Sequence, residues 1–111
     1  MTKRTSRKIA VAEDTRLRDY ELVLIINPEI GDEALDALVD NVSQFITGKE
    51  GTVSSVERWG KRKLAYPISR FMEGSYVLVR FKLKPALGRE LKANLQISEE
   101  VLRYLLIRLN D

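Results

Sequence analysis

Two helices packed on one face of a four-stranded antiparallel sheet, an α+β sandwich with the element order βαββαβ, is the fold this sequence predicts. Three observations predict it. Apolar residues follow strand-like patterns in four stretches, they recur at three- and four-residue helical spacing in two others, and the two kinds interleave as strand, helix, strand, strand, helix, strand. With 111 residues and 44% apolar content the chain is long enough for one domain with a real core and too short for two.

Residues 1–18 place Lys3, Arg4, Arg7, Lys8, Arg16 and Arg18 among threonines and serines with no sustained period, which predicts a disordered basic arm. A transit peptide is the competing reading, weakened by Glu13 and Asp14. An arm that becomes ordered on a polyanion fits better. The domain proper is expected over 19–111. From Asp19 to Asn27, apolar groups on both faces predict a central strand, ended by Asn27-Pro28. Gly31-Asp32-Glu33 opens a helix whose buried stripe is Leu35, Leu38, Val39, Val42, Phe45 and Ile46, with Gly48 as its stop. Gly51 to Tyr66 reads as a long second strand. The three-residue steps from Val53 to Val56 to Trp59 break its period and predict a bulge or strong twist near Gly60. Residues 67–74, with Pro67, Arg70 and Gly74, are expected to be the turn region of a hairpin that returns along Ser75 to Lys84. Pro85 starts a shorter helix carrying Leu87, Leu91 and Leu95, and Val101 to Leu109 is the last strand. Right-handed crossovers then give the ferredoxin-like arrangement.

Composition narrows the chemistry. There is no cysteine and no histidine, so disulfides, thiolate metal sites and the usual general base are absent. No apolar run approaches the roughly 20 residues that cross a bilayer, and no apolar leader core is present, so a cytoplasmic setting is expected. The net charge is only +3, yet the first 18 residues alone hold six cations against two acids, leaving the rest of the chain slightly acidic. The acidic set Glu29, Asp32, Glu33, Asp36 and Asp40 lies at and after a helix start. That position favours carboxylates without any metal. No phosphate-binding glycine loop and no nucleophile with a partner base is present, so no catalytic residue, cofactor or small-molecule substrate is expected.

The segment Trp59-Gly60-Lys61-Arg62-Lys63-Leu64-Ala65-Tyr66-Pro67-Ile68 sets three consecutive cations between two aromatics. Phosphate neutralisation beside a flat stacking surface suits RNA. The plain alternative is an edge strand whose lysines discourage aggregation. The pattern of RNA-recognition-motif proteins, laid over Gly74 to Phe81, matches only at Tyr76, Val79 and Phe81. Leu78 stands where a second stacking ring is needed, so base-by-base reading on the sheet is not expected. The cations lie at the margins instead: Lys61, Arg62, Lys63 and Arg70 at one end, Arg18 with the arm at the start, Arg108 near the end of the last strand. That placement grips phosphates rather than reading sequence. If helices cover Tyr20, Leu22, Leu24, Val77, Val79, Phe81, Tyr104 and Leu106, the opposite face shows Val23, Ile25, Tyr76, Leu78, Leu105 and Ile107. These six are candidates for a protein partner, the alternative being coverage by the arm or a loop.

Tyr20-Glu21 leading to Asn27-Pro28, the decapeptide from Trp59 to Ile68, Gly74-Ser75-Tyr76, and Val101 to Arg108 together resemble the bacterial small-subunit ribosomal protein six family over residues 19–109. The resemblance implies a structural, non-enzymatic protein, cytoplasmic and ribosome-bound. It would bind the central domain of small-subunit ribosomal RNA beside small-subunit ribosomal protein eighteen, with which it pairs. Carried over by position, Arg62, Lys63, Tyr66, Arg18 and Arg108 become candidate RNA contacts. A basic arm of this length departs from the family's usual start close to the first strand, so its contacts do not transfer. A non-catalytic interaction module that oligomerises through its open sheet face is the other reading of the same residues.

Overall fold

Strand β1 (Arg18–Ile26) alternates strictly between buried and partly buried residues, as expected of the strand with neighbours on both sides. In the computed structural model, which describes residues 15–109, it pairs antiparallel with β3 on one side and β4 on the other. Residues 1–14 of the expected arm lie outside the described residues. Of the rest of that arm, Arg18 belongs to β1 and is 9% exposed, so the strand starts one residue earlier than expected.

Helix α1 (Asp32–Gly48) follows, with Asp32 and Glu33 in its first turn where the exposed N–H groups favour acids. The helix ends at Gly48 as expected, but Gly48 is not its left-handed cap. The chain turns at Glu50, whose φ is 68°, while the N–H of Gly51 donates to the Ile46 carbonyl and that of Glu50 to the Thr47 carbonyl, the bond pair of a Schellman cap. Glycine is needed one step later, because a Cβ on Gly51 would lie 2.4 Å from the Lys82 carbonyl oxygen.

Strands β2 (Thr52–Ile68) and β3 (Phe71–Leu83) form one hairpin closed by Ser69 and Arg70, not by the eight-residue turn region expected over 67–74. Pro67 does not stop β2, since on an edge strand its missing N–H costs no ladder bond. The register shifts between Val53 and Ser55, between Arg58 and Gly60, and between Lys63 and Ile68. Gly60, at φ 81°, takes up the second shift at the expected place. A 3₁₀ turn (Pro85–Leu87) then runs into helix α2 (Gly88–Gln96), and β4 (Val101–Arg108) completes the sheet in the order β2-β3-β1-β4.

Between the sheet and the helices lies the core: Leu22, Leu24, Ile26, Val77, Val79 and Phe81 from the strands against Val39, Val42, Ile46, Leu91 and Leu95, with Tyr20 stacked on Phe81 at 5.5 Å. Tyr104 and Leu106 of β4 pack against it from the edge. The Arg58–Asp36 ion pair ties β2 to α1 across the layers.

Candidate nucleic-acid and protein interface

β1 ends at Ile26, opposite Ser75, while β2 and β3 continue as a two-stranded extension. The third shift sets residues 64–67 of β2 against a single residue of β3, Met72, so this part of the strand bows away from its ladder. The bowed segment reaches over the face of the sheet opposite the helices. Leu64 is buried there, Gly74 lies beneath it with its Cβ position 2.5 Å from Ile25 Cγ2 and 3.8 Å from Leu64 Cδ2, and Tyr66 arrives beside β4. Arg103 of β4 donates from Nη1 to the Tyr66 hydroxyl at 2.5 Å, and its guanidinium sits 5.5 Å from the centre of that ring. A small groove between the strap and the sheet is lined by Ile25, Leu64, Tyr66, Tyr76 and Arg103.

The hairpin also orders its cations. Arg62 lies 5.1 Å from the Trp59 ring, and Trp59 stacks on Tyr76 at 6.1 Å while donating from Nε1 to Glu57. Arg70 lies over Phe71 at 4.5 Å and meets Glu29 at 3.4 Å, which ties the hairpin tip to the β1–α1 loop. Lys61, Arg62, Lys63 and Arg103 have no carboxylate partner among the described residues. Arg89 and Lys92 on α2 also have none, whereas Lys49, Arg58, Arg70, Lys82 and Lys84 each have one and Arg80 has two.

Of the residues the sequence points to for RNA, the structure brings together Lys61, Arg62, Lys63, Tyr66 and Arg70 at the hairpin end. Arg18 and Arg108 stand at the other end: Arg18 pairs with Leu83, and Arg108 with Tyr20. Along β1 that separation is about 25 Å at 3.3 Å per residue. The basic margin is therefore two sites. Arg18, on the helix-covered side, is largely closed to solvent, and both it and Arg108 are already engaged by other groups.

Across the open face the registers define three rows: Arg80, Glu21 and Ile107; then Glu57, Leu78, Val23 and Leu105; then Tyr76, Ile25 and Arg103. The six-residue apolar surface expected here is only partly open. Leu78 is 5% exposed in the middle row, and Ile25 is half-buried beside the strap, where the hairpin covers part of the face that no helix reaches. Leu105 (57%) and Ile107 (39%) stay exposed on β4, and Trp59 (38%), which periodicity hid by setting it in a bulge, extends the surface at the other side. Arg80 donates to Glu21 and to Glu57 at 2.8 Å each and closes one end of the face with charge. The Glu21 hydrogen bond, with the two nearby carboxylates, pushes the guanidinium above its ordinary pKa. Among the described residues no group of acidic side chains is placed to hold a metal ion, and no helix is long and apolar enough to cross a membrane.

Comparison with known proteins follows the same outline. Residues 19–108 match the family model described as ribosomal protein S6. The small ribosomal subunit protein bS6 of Moorella thermoacetica is 44% identical over 95 residues, covering 86% of this chain and 97% of its own length. That of Dehalococcoides mccartyi is 43% identical, covering 86% and 87%. The crystal structure of 30S ribosomal protein S6 from Thermotoga maritima superposes with a TM-score of 0.80 at 33% identity, over 85% of this chain and 89% of that one. Matched in sequence, fold and most of its length, the chain belongs to the ribosomal protein S6 family, a family of structural proteins of the small ribosomal subunit and not of enzymes.

Proposed function

We propose that this protein, cytoplasmic and ribosome-bound, holds the central domain of small-subunit ribosomal RNA through its hairpin end and pairs with small-subunit ribosomal protein eighteen through its open sheet face. The observation that carries the RNA half is the run Lys61-Arg62-Lys63. In a domain where Lys49, Arg58, Arg70, Arg80, Lys82 and Lys84 each meet a neighbouring acid, three consecutive cations lack such a partner among the described residues, on an extension free of helix cover. Charge left uncompensated on a projecting hairpin favours a polyanion, and the binding follows the phosphates rather than the bases. The exposed Leu105 and Ile107, continuous with Val23 and bounded by Arg80 and Arg103, support an apolar protein contact beside it.

Binding of a central-domain RNA fragment tests this reading when measured with and without protein eighteen across a salt series. The protein alone should bind weakly and the pair tightly. Replacing Lys61, Arg62 and Lys63 together by alanine should flatten the log–log salt dependence by about 2–3 units, at roughly 0.7–0.9 for each phosphate no longer neutralised. An unchanged slope removes the segment from the interface. The exposed apolar residues of the edge strand β4 also favour a second reading, self-association through the open face with no RNA dependence. Sedimentation at low concentration distinguishes the two, since a stable homodimer indifferent to RNA supports the second.

A further inference from the structure

We infer that Arg103 is a phosphate-binding residue of the hairpin-end surface, held in place by Tyr66; this rests on the RNA-binding reading above. Arg103 belongs to β4, on the far edge of the sheet from β2, and nothing in its local sequence separates it from Arg108 five residues later. The registers separate them: Arg103 pairs with Ile25, next to the origin of the hairpin extension, whereas Arg108 pairs with Tyr20 near the start of β1. The strap of residues 64–67 closes the gap across the sheet and puts Tyr66, carried by the same segment as Lys61, Arg62 and Lys63, in contact with the Arg103 guanidinium.

The contact leaves the guanidinium available. Arginine has five N–H donors in a rigid fork; the Tyr66 hydroxyl accepts from Nη1, and Arg103 has no carboxylate partner among the described residues. Arg103 is exposed, and its neighbours across the open face, Ile25 and Tyr76, offer no competing charge. A guanidinium backed by an aromatic ring and fixed by one hydrogen bond has already given up much of its rotamer freedom. What remains is a preformed fork suited to two oxygens of one phosphodiester. The ring and hydroxyl of Tyr66 act through Arg103, so Tyr66 is a positioning residue here. A carboxylate on a neighbouring protein is the competing occupant. The RNA phosphate is favoured because the other cations without a carboxylate partner at this end are the three of the hairpin.

The experiment uses the full chain with protein eighteen and the central-domain RNA fragment, over a salt series, for Arg103→Gln, Arg103→Lys and Tyr66→Phe. Arg103→Gln keeps a donor for the tyrosine and loses the charge. It should weaken RNA binding about tenfold at low salt, as expected for one charge-assisted contact, and flatten the salt slope by about 0.7–0.9. Arg103→Lys should restore the slope but only part of the affinity, and Tyr66→Phe should weaken binding several-fold with the slope nearly kept. If Arg103→Gln leaves the slope unchanged while the Lys61/Arg62/Lys63 variant flattens it, Arg103 only clamps the strap and the inference is overturned. It is equally overturned if Arg103→Gln weakens RNA-free pairing with protein eighteen and leaves the slope alone. If neither the triple variant nor Arg103→Gln moves the slope, the RNA reading fails and takes this inference with it.

Discussion

Glu50 and Ser69 are the non-glycine residues with positive φ among those described, and each sits at a reversal of the chain. Glu50 occupies the left-handed position of the cap on α1, where an L side chain costs about 1–2 kcal/mol and glycine costs little. Its exposed pairing with Lys84 at 3.6 Å returns only a small part of that. Glu50→Gly should therefore stabilise the protein by about 1 kcal/mol, read as a rise of roughly 4 °C in Tm by calorimetry. An unchanged or lower Tm would show that the strain is relieved elsewhere. The neighbouring Gly48 drew attention in the sequence because glycine commonly ends helices. The cap instead forms two residues on, where the Ile46 and Thr47 carbonyls find N–H partners and Gly51 fits against β3.

At the level of elements, the β2–β3 hairpin carries most of what is particular to this chain. Its length, its bulges and its basic segment act together: extra residues on one strand bend it, and the bend takes Leu64 and Tyr66 over the sheet. The fit depends on Gly74, because a methyl group there would meet Ile25 Cγ2 at 2.5 Å, and that carbon is fixed on a β-branched side chain. Gly74→Ala should cost about 1–3 kcal/mol by overpacking, and it should loosen the Tyr66–Arg103 contact. Thermal unfolding together with the salt slope of RNA binding checks it, and a fall in stability of less than a few tenths of a kcal/mol would show the strap to be easily displaced. Gly74 and Pro67 are turn residues by composition, and the long turn expected around them follows from that. The structure makes them something else: Pro67 takes an edge position that needs no N–H, and Gly74 a buried crossing that admits no side chain.

The whole molecule sorts its surface into unlike ends. The start of β1, with Arg18 and Arg108, is an end where cations are already engaged, and Lys82 and Lys84 nearby are paired with Asp19 and Glu50. The hairpin end holds Lys61, Arg62, Lys63 and Arg103, none with a carboxylate partner among the described residues, and between the two ends lies the open face with Leu105 and Ile107. Leu105→Glu tests that face. The side chain is 57% exposed, so folding stability should shift by no more than about 0.5 kcal/mol. Affinity for protein eighteen should fall at least about tenfold, because a carboxylate would be desolvated against an apolar contact. Titration calorimetry measures it, and full retention of affinity would place the partner elsewhere.

The periodicities alone determined the order and number of elements, the central place of β1, the helix-covered core and the bulge at Gly60, because each depends on the alternation or spacing of nearby side chains. The decapeptide likewise marked the basic, aromatic segment from its local composition. Only the tertiary structure decided that Arg18 is buried, that Leu78 is closed and Trp59 open, and that Arg103 rather than Arg108 shares an end with Lys61, Arg62 and Lys63. The physical reason is that these are questions of register between strands distant in sequence. One bowed stretch of β2 crosses the sheet, and no local pattern records where a strand's far edge will meet it.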